Sequence, residues 1–230
     1  MFCIQCEQTL RSEVRGEGCR ARGMCGKDAT TAELQDVLVN VLEGLCMYLA
    51  RANQLGAELP QADRFLTYAM FTTLTNVNFD SARFDAMIRD ALLLRDKARA
   101  AYENAARAKG NIIEELGGPA TWTPSGTVAE MKKQAGEVSL EADRAQVGDD
   151  VIGLRLLILY GLRGCCAYAE HAHILGKEDA TIYADLVKMM DYLASRPTDI
   201  GEMLAKSLEV GAINFRIMEL LDAAGTERFG

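Results

Sequence analysis

The cysteines are the residues of this 230-residue chain best suited to do chemistry, and four of the seven lie within its first 25 positions. Cys3, Cys6, Cys19 and Cys25 give the spacing C-x2-C-x12-C-x5-C, with several glycines interleaved. Two residues between cysteines allow both sulfurs to turn toward one centre, and glycine lets backbone amides approach sulfur closely. The pattern predicts a loop built around a bound group.

Four kinds of site use cysteines in this way: a disulfide, a redox-active dithiol, a zinc site and an iron-sulfur cluster. In a reducing compartment, clustered cysteines bind metal more often than they form bridges. A four-cysteine zinc site usually pairs two C-x2-C knuckles, whereas five residues separate Cys19 from Cys25. The spacing favours an iron-sulfur cluster, and a structural zinc site in a non-catalytic helical scaffold is the alternative.

The charge of the chain is unevenly distributed. Its net charge is -8, yet the cysteine segment carries five basic residues: Arg11, Arg15, Arg20, Arg22 and Lys27. Such cations would offset the negative charge of four thiolates around a cluster, although a solvated basic loop has the same composition. The overall acidity argues against nucleic-acid binding, which requires clustered lysine and arginine.

The sequence gives no sign of a membrane segment or of export. We find no apolar run near the roughly 18 to 20 residues that span a bilayer, and the amino terminus lacks the features of a signal peptide. We therefore expect a cytoplasmic protein that does not contact the membrane.

After the cysteine segment the sequence pattern is helical throughout. Capping signals mark helix starts at Thr30 with Glu33, at Asp80, at Thr127 with Glu130, and at Thr198 or Asp199 with Glu202. The predicted helices are 31–56, 62–76, 80–108, 127–136, 149–176, 179–195 and 198–223. Glycines and prolines between 109 and 126 stop helices and link two halves.

The two halves resemble each other at an offset of 120 residues. The segment "VLEGLCMYLARANQLG" aligns with "GLRGCCAYAEHAHILG", and the apolar stripes of the two segments coincide. We predict an all-α fold of two three-helix bundles related by an internal repeat and preceded by the four-cysteine loop. The predicted domains are the loop at 1–29, the first bundle at 30–110, a linker with a short helix at 111–148, and the second bundle at 149–230.

Other candidate ligands are interpreted as packing residues. Glu170 and His173 have the i, i+3 spacing of di-iron bundles, but such a site needs a second motif of this kind. His171 and His173 diverge by about 200° around a helix, so they cannot share a metal. Cys165 and Cys166 are interpreted as small buried hydrophobes, because Cys166 aligns with Cys46 in the repeat.

Several segments together resemble the amino-terminal region of the hybrid-cluster proteins, also called prismane proteins or hydroxylamine reductases. The segments are "MFCIQCEQT", "GMCGK", "TLTNVNFDSARF", "GLRLLILYGLRGCCAYAEHAHILGK" and "LLDAAGTERFG". The resemblance covers essentially the whole chain. It implies a helical domain of two three-helix bundles, with Cys3, Cys6, Cys19 and Cys25 as the four ligands of one iron-sulfur cluster.

The resemblance also implies a function in electron transfer. The resemblance implies that two α/β domains follow this region in family members and hold a hybrid 4Fe-2O-2S cluster that performs the chemistry. This chain would then be the electron-entry module and would contain no catalytic residues. An NADH-dependent iron-sulfur flavoprotein reductase would supply its electrons. The loop length is nearer that of members with a two-iron site, which favours [2Fe-2S] over [4Fe-4S].

Overall fold

The computed structural model describes residues 2–9 and 19–230, and all regular secondary structure within them is helical. This confirms the all-α prediction. A 3-10 turn at Gly118–Ala120 and the short helix α5 were not predicted. The helices are α1 (Ala29–Gln54), α2 (Pro60–Thr72), α3 (Ser81–Ala108), α4 (Val128–Val138), α5 (Arg144–Val147), α6 (Asp149–Ile174), α7 (Ala180–Ala194) and α8 (Ile200–Phe229).

Side-chain caps set the starts of most long helices. The carboxylates of Asp80 and Asp199 accept backbone N–H groups at the starts of α3 and α8, and Thr127 caps α4, as predicted. The prediction for α1 was wrong, because Asp28 rather than Thr30 is its N-cap. The Asp28 carboxylate accepts the N–H of Thr31 at 2.7 Å, which moves the start of the helix toward the cysteine segment.

Three helix boundaries of the second half lie 120 residues after the corresponding boundaries of the first half. Both ends of α6 lie 120 residues after those of α1, and α7 begins 120 residues after α2. Helices α1 and α6 also end in the same way, with Gly56 and Gly176 at φ values of 75° and 91°. Glycine adopts this left-handed conformation without the steric penalty of a Cβ atom.

The second helices of the two halves are exchanged. Helix α1 packs mainly against α3 and α7, whereas α6 packs mainly against α8 and α2. Arg51 of α1 pairs with Asp191 of α7 at 3.1 Å, and the ring of Phe71 in α2 meets that of His171 in α6 edge-on at 5.3 Å. Helix α2 of segment 30–110 thus packs against α6, the first helix of segment 149–230. Helix α7 of segment 149–230 in turn packs against α1, the first helix of segment 30–110.

Helix α6 contains a long apolar stretch. By length and composition it could cross a bilayer, alone among the helices of the described part of the chain, contrary to the expectation that no run of that length exists. More than half of its most apolar stretch is buried within the protein. Packing by α8 and α2 accounts for this composition, since a helix covered on several sides needs apolar residues around most of its circumference.

The linker between the halves lies against α1 and α3. The buried Arg95 of α3 donates to the carbonyl oxygens of Pro119 and Trp122, at 3.1 and 2.5 Å. Gly44 of α1 lies under this turn, and a Cβ atom built on it would be 2.1 Å from the Pro119 oxygen. The lack of a side chain at Gly44 therefore permits the close approach of the linker.

Candidate metal centre

The four predicted ligand cysteines lie where the start of α1, the end of α2 and the middle of α6 meet. All four are free thiols. Cys3 and Cys19 are buried and joined by a hydrogen bond from the Cys3 N–H to the Cys19 carbonyl at 2.8 Å, whereas Cys6 and Cys25 are half-buried. Of the intervening segment, residues 10–18, which include Arg11 and Arg15, lie outside the described residues.

The first cysteine pair lies in a tight turn. The Thr9 hydroxyl donates to the carbonyl oxygens of Cys3 and Cys6 at 3.1 and 2.8 Å. The N–H of Gln5 lowers the pKa of the Cys3 thiol and the N–H of Gln8 lowers that of Cys6, so each amide lies beside the sulfur.

Glycines shape the backbone around Cys25. The Gly23 N–H donates to the Lys27 carbonyl and the Gly26 N–H to the Gly23 carbonyl, both at 2.8 Å. A Cβ atom on Gly23 would lie 3.3 Å from the Cys25 sulfur, and Gly26 has a φ of 99°. Side chains at these two positions would crowd the sulfur or strain the turn.

Burial and neighbouring charges affect the Cys3 and Cys6 thiols. The pKa of Cys3 is raised to about 11, mainly by burial, with the charges of Asp36 and Cys19 acting in the same direction and the Gln5 N–H and Lys27 acting against it. Burial also raises the pKa of Cys6, with Glu7 and Cys25 acting in the same direction. Cys3 is therefore close to Cys19, and Cys6 to Cys25. Deprotonating the thiols in this setting calls for added positive charge.

Two buried cations supply positive charge beside the cysteines. Lys27 is 1% exposed and donates to the carbonyl oxygens of Thr73 and Leu74, at 3.2 and 3.1 Å, just beyond α2. Arg163 of α6 is fully buried. Of the other basic residues predicted here, Arg20 and Arg22 are exposed. Among the described basic residues of the cysteine segment, Lys27 is therefore the one that is buried beside the thiols.

Arg163 was not identified from the sequence. It donates to the backbone and side-chain oxygens of Gln5, between the first two cysteines, and Tyr160 donates to the Ile4 carbonyl at 3.0 Å. The available signal was an arginine in a strongly apolar helical stretch, because such a charge is rarely buried without a specific role.

The donor chemistry at this site suits an iron-sulfur cluster. Within residues 2–9 and 19–230, no three His, Cys, Asp or Glu side chains stand together as a ready-made metal site. The fit therefore depends on the four free thiols, the amide N–H groups beside the sulfurs and the buried cations. These features are typical of the surroundings that stabilise a thiolate-bound cluster and set its reduction potential.

The remaining candidate residues lie elsewhere. Cys46, Cys165 and Cys166 are buried in the core, as predicted. His171 packs against the ring of Phe71, and His173 pairs through Nδ1 with Glu178.

Comparison with known proteins agrees with the resemblance seen in the sequence. The chain matches the Prismane/CO dehydrogenase family over residues 1–230. It is 49% identical to a hydroxylamine reductase of Burkholderia ambifaria, 47% identical to one of Acidithiobacillus ferrooxidans and 43% identical to one of Escherichia coli. Each match includes all of this chain and 41% of the relative, so the chain spans about two fifths of the length of these proteins. Proteins of this family bind iron-sulfur clusters. Because this family match covers its whole length, the chain belongs to the Prismane/CO dehydrogenase family.

Proposed function

We propose that this chain is the iron-sulfur electron-transfer module of a hydroxylamine reductase of the hybrid-cluster type. The proposal is supported by two cysteine pairs, Cys3 with Cys19 and Cys6 with Cys25, and by the buried Lys27, whose charge acts on Cys3, Cys6 and Cys25. The relatives that match over the whole chain are named hydroxylamine reductases, which supports the same assignment.

In this proposal the four cysteines hold one cluster, with [2Fe-2S] favoured over [4Fe-4S]. The cluster, when bound, supplies one-electron transfer. The buried Cys3 and Cys19 keep water from one side of the site, and the half-buried Cys6 and Cys25 lie nearer the surface. Lys27 and Arg163 offset the negative charge of the thiolates.

The module would act with other parts of a longer protein. Its electrons would come from an NADH-dependent iron-sulfur flavoprotein reductase in the cytoplasm and pass to a hybrid cluster in α/β domains. The chain alone would not reduce hydroxylamine, because irons whose ligands are all cysteine offer no open position for substrate.

Metal analysis tests the proposal. Protein purified without oxygen should be brown and contain iron and acid-labile sulfide in matched amounts, and Cys19→Ser should lose most of both. Cys46→Ala is the matched control, since this buried cysteine lies in the core of α1 and should leave the iron content unchanged. Colourless protein with one zinc ion would contradict the proposal and support the zinc scaffold.

A further inference from the structure

Two side chains of α6 hold the peptide between the first two cysteines. The hydroxyl of Tyr160 donates to the Ile4 carbonyl oxygen at 3.0 Å. Arg163 donates through Nη1 to the Gln5 carbonyl and through Nη2 to the Gln5 side-chain oxygen. Ile4 and Gln5 are each 2% exposed, so these hydrogen bonds are shielded from water.

The peptide unit that Tyr160 binds is the one that faces the Cys3 sulfur. The Ile4 carbonyl and the Gln5 N–H belong to the same peptide group, and this N–H lowers the pKa of the Cys3 thiol, so it lies beside the sulfur. A hydrogen bond to a carbonyl polarises the peptide and strengthens its N–H as a donor. Tyr160 therefore fixes the orientation of the peptide group beside Cys3.

Arg163 is held by neutral partners. Its hydrogen bonds go to two uncharged oxygens of Gln5, and its buried Nε has no hydrogen-bond partner among the described residues. The Gln5 amide nitrogen in turn donates to the Asp36 carboxylate of α1. A buried cation is expensive unless negative charge lies nearby. Asp36 lies close enough to act on Arg163, and so do Cys3 and Cys6, so an anionic group bound by these two cysteines would stabilise Arg163 further.

We infer that Tyr160 and Arg163 are positioning residues of the cysteine site. Through them, α6 of the second half orients the peptide between Cys3 and Cys6 and places a buried positive charge beside the bound cluster. The inference rests on the proposed function, because it assumes that the cysteines hold an iron-sulfur cluster. Neither side chain is a ligand. Removal of either should weaken retention of the cluster and lower its reduction potential.

Arg155 provides a matched control on the same helix. It is also fully buried, and it donates to the carbonyl oxygens of Pro197 and Arg196, both at 2.9 Å, and to the Asp143 carboxylate at 2.7 Å. It therefore holds the segment between α7 and α8 in place. None of the three groups that it binds belongs to the cysteine segment.

The first experiment measures cluster retention and potential. Loss of iron to a chelator without oxygen should be about 10- to 100-fold faster in Arg163→Met than in the unsubstituted protein, as is usual when a residue that orients a ligand is removed. Arg163→Lys should keep most of the potential but not the retention, since it keeps the charge without the two-pronged hydrogen bond. Tyr160→Phe should lower the potential with a smaller effect on retention.

The second experiment does not depend on metal. In metal-free protein, backbone hydrogen exchange of residues 3–9 should be about 5- to 10-fold faster in Tyr160→Phe, as the loss of one hydrogen bond worth about 1 kcal/mol predicts. The increase should be at least as large in Arg163→Met, which loses two hydrogen bonds to Gln5. Arg155→Met should leave exchange in this segment unchanged. Slower folding or lower stability alone would affect the two arginine variants alike.

Two results separate the possible failures. Equal rates of iron loss from Arg163→Met and Arg155→Met, with unchanged hydrogen exchange at residues 3–9, would overturn the inference about α6. The proposal that the cysteines hold a cluster would still stand. An unsubstituted protein that binds no iron would overturn the proposed function and the charge effect inferred for Arg163. The exchange measurement would then still decide whether α6 holds the peptide.

Discussion

Gly44 and Gly164 occupy aligned positions of the two halves, yet their surroundings differ. A Cβ atom on Gly44 would lie 2.1 Å from the Pro119 oxygen, whereas one on Gly164 would have no neighbour within 4 Å. The linker covers Gly44 of α1 and does not cover Gly164 of α6, so the requirement for glycine is particular to the first half.

The two glycines should respond in opposite ways to substitution by alanine. Gly44→Ala should lower the free energy of unfolding by about 1 to 3 kcal/mol, because the Pro119 backbone must move. Gly164→Ala should raise it by up to about 1 kcal/mol, because alanine restricts the unfolded chain without a clash. Urea unfolding followed by circular dichroism measures both. Equal shifts would contradict the close approach described for Gly44.

At the scale of elements, the exchange of α2 and α7 makes each half dependent on the other. The buried face of α2 includes Leu66 and Met70, and the helix packs mainly against α6. Residues 1–126 and 127–230, expressed separately, should therefore each show far less helix than they have in the whole chain. Mixing the two fragments should restore the missing helical signal in circular dichroism.

A chain cleaved after Gly126 is the control for this experiment. Gly126 is exposed and a side chain there would meet nothing within 4 Å, so cleavage of the folded protein should leave the two pieces associated. A fragment 127–230 that is monomeric, fully helical and cooperative in its unfolding would contradict the role of the exchange.

The sequence predicted the helices well because their signals are local. Asp80, Thr127 and Asp199 cap helices by accepting N–H groups two or three residues away, and apolar periodicity identifies a buried face. The error at Thr30 arose because Asp28, two residues earlier, caps the helix through the Thr31 N–H, so Thr30 lies within the first turn. The exchange of helices was not predictable, since an amphipathic pattern says which face is buried but not which helix covers it.

The site was predictable only in part, for a similar reason. Cysteine spacing pointed to residues 3–25, and the composition of that segment pointed to Lys27. Arg163 lies 158 residues from Gln5 in the chain, and no local pattern relates the two. Such contacts depend on where the tertiary structure places α6 relative to the cysteine segment, which spacing along the chain does not determine.

At the scale of the whole molecule, the helical core should be independent of the bound group. The core is one continuous apolar cluster that includes residues of α1, α2, α3, α6, α7 and α8. Cys3 and Cys19 belong to a separate small cluster with Ala32. Helices with extensive packing of this kind do not need a metal to form.

Removal of the cluster should therefore loosen residues 1–29, except where α6 holds Ile4 and Gln5, and leave most of the helical signal. Chelation followed by circular dichroism and by limited proteolysis measures the two parts separately: helicity should persist while cleavage within the first 29 residues increases. The unchelated protein treated with the same protease is the control. Collapse of the whole helical signal on chelation would make the cysteine segment the folding nucleus.

The exchange of second helices also has a consequence for synthesis on the ribosome. Helix α2 ends at Thr72, and its partner α6 ends at Ile174, about 100 residues later. At roughly 5 to 20 residues per second, the apolar face of α2 leaves the ribosome about 5 to 20 seconds before α6 is complete. During that interval the nascent chain exposes an amphipathic helix and a reduced cysteine segment. Chaperones that bind apolar helices, and the machinery that delivers iron and sulfide, would meet this protein in the same period.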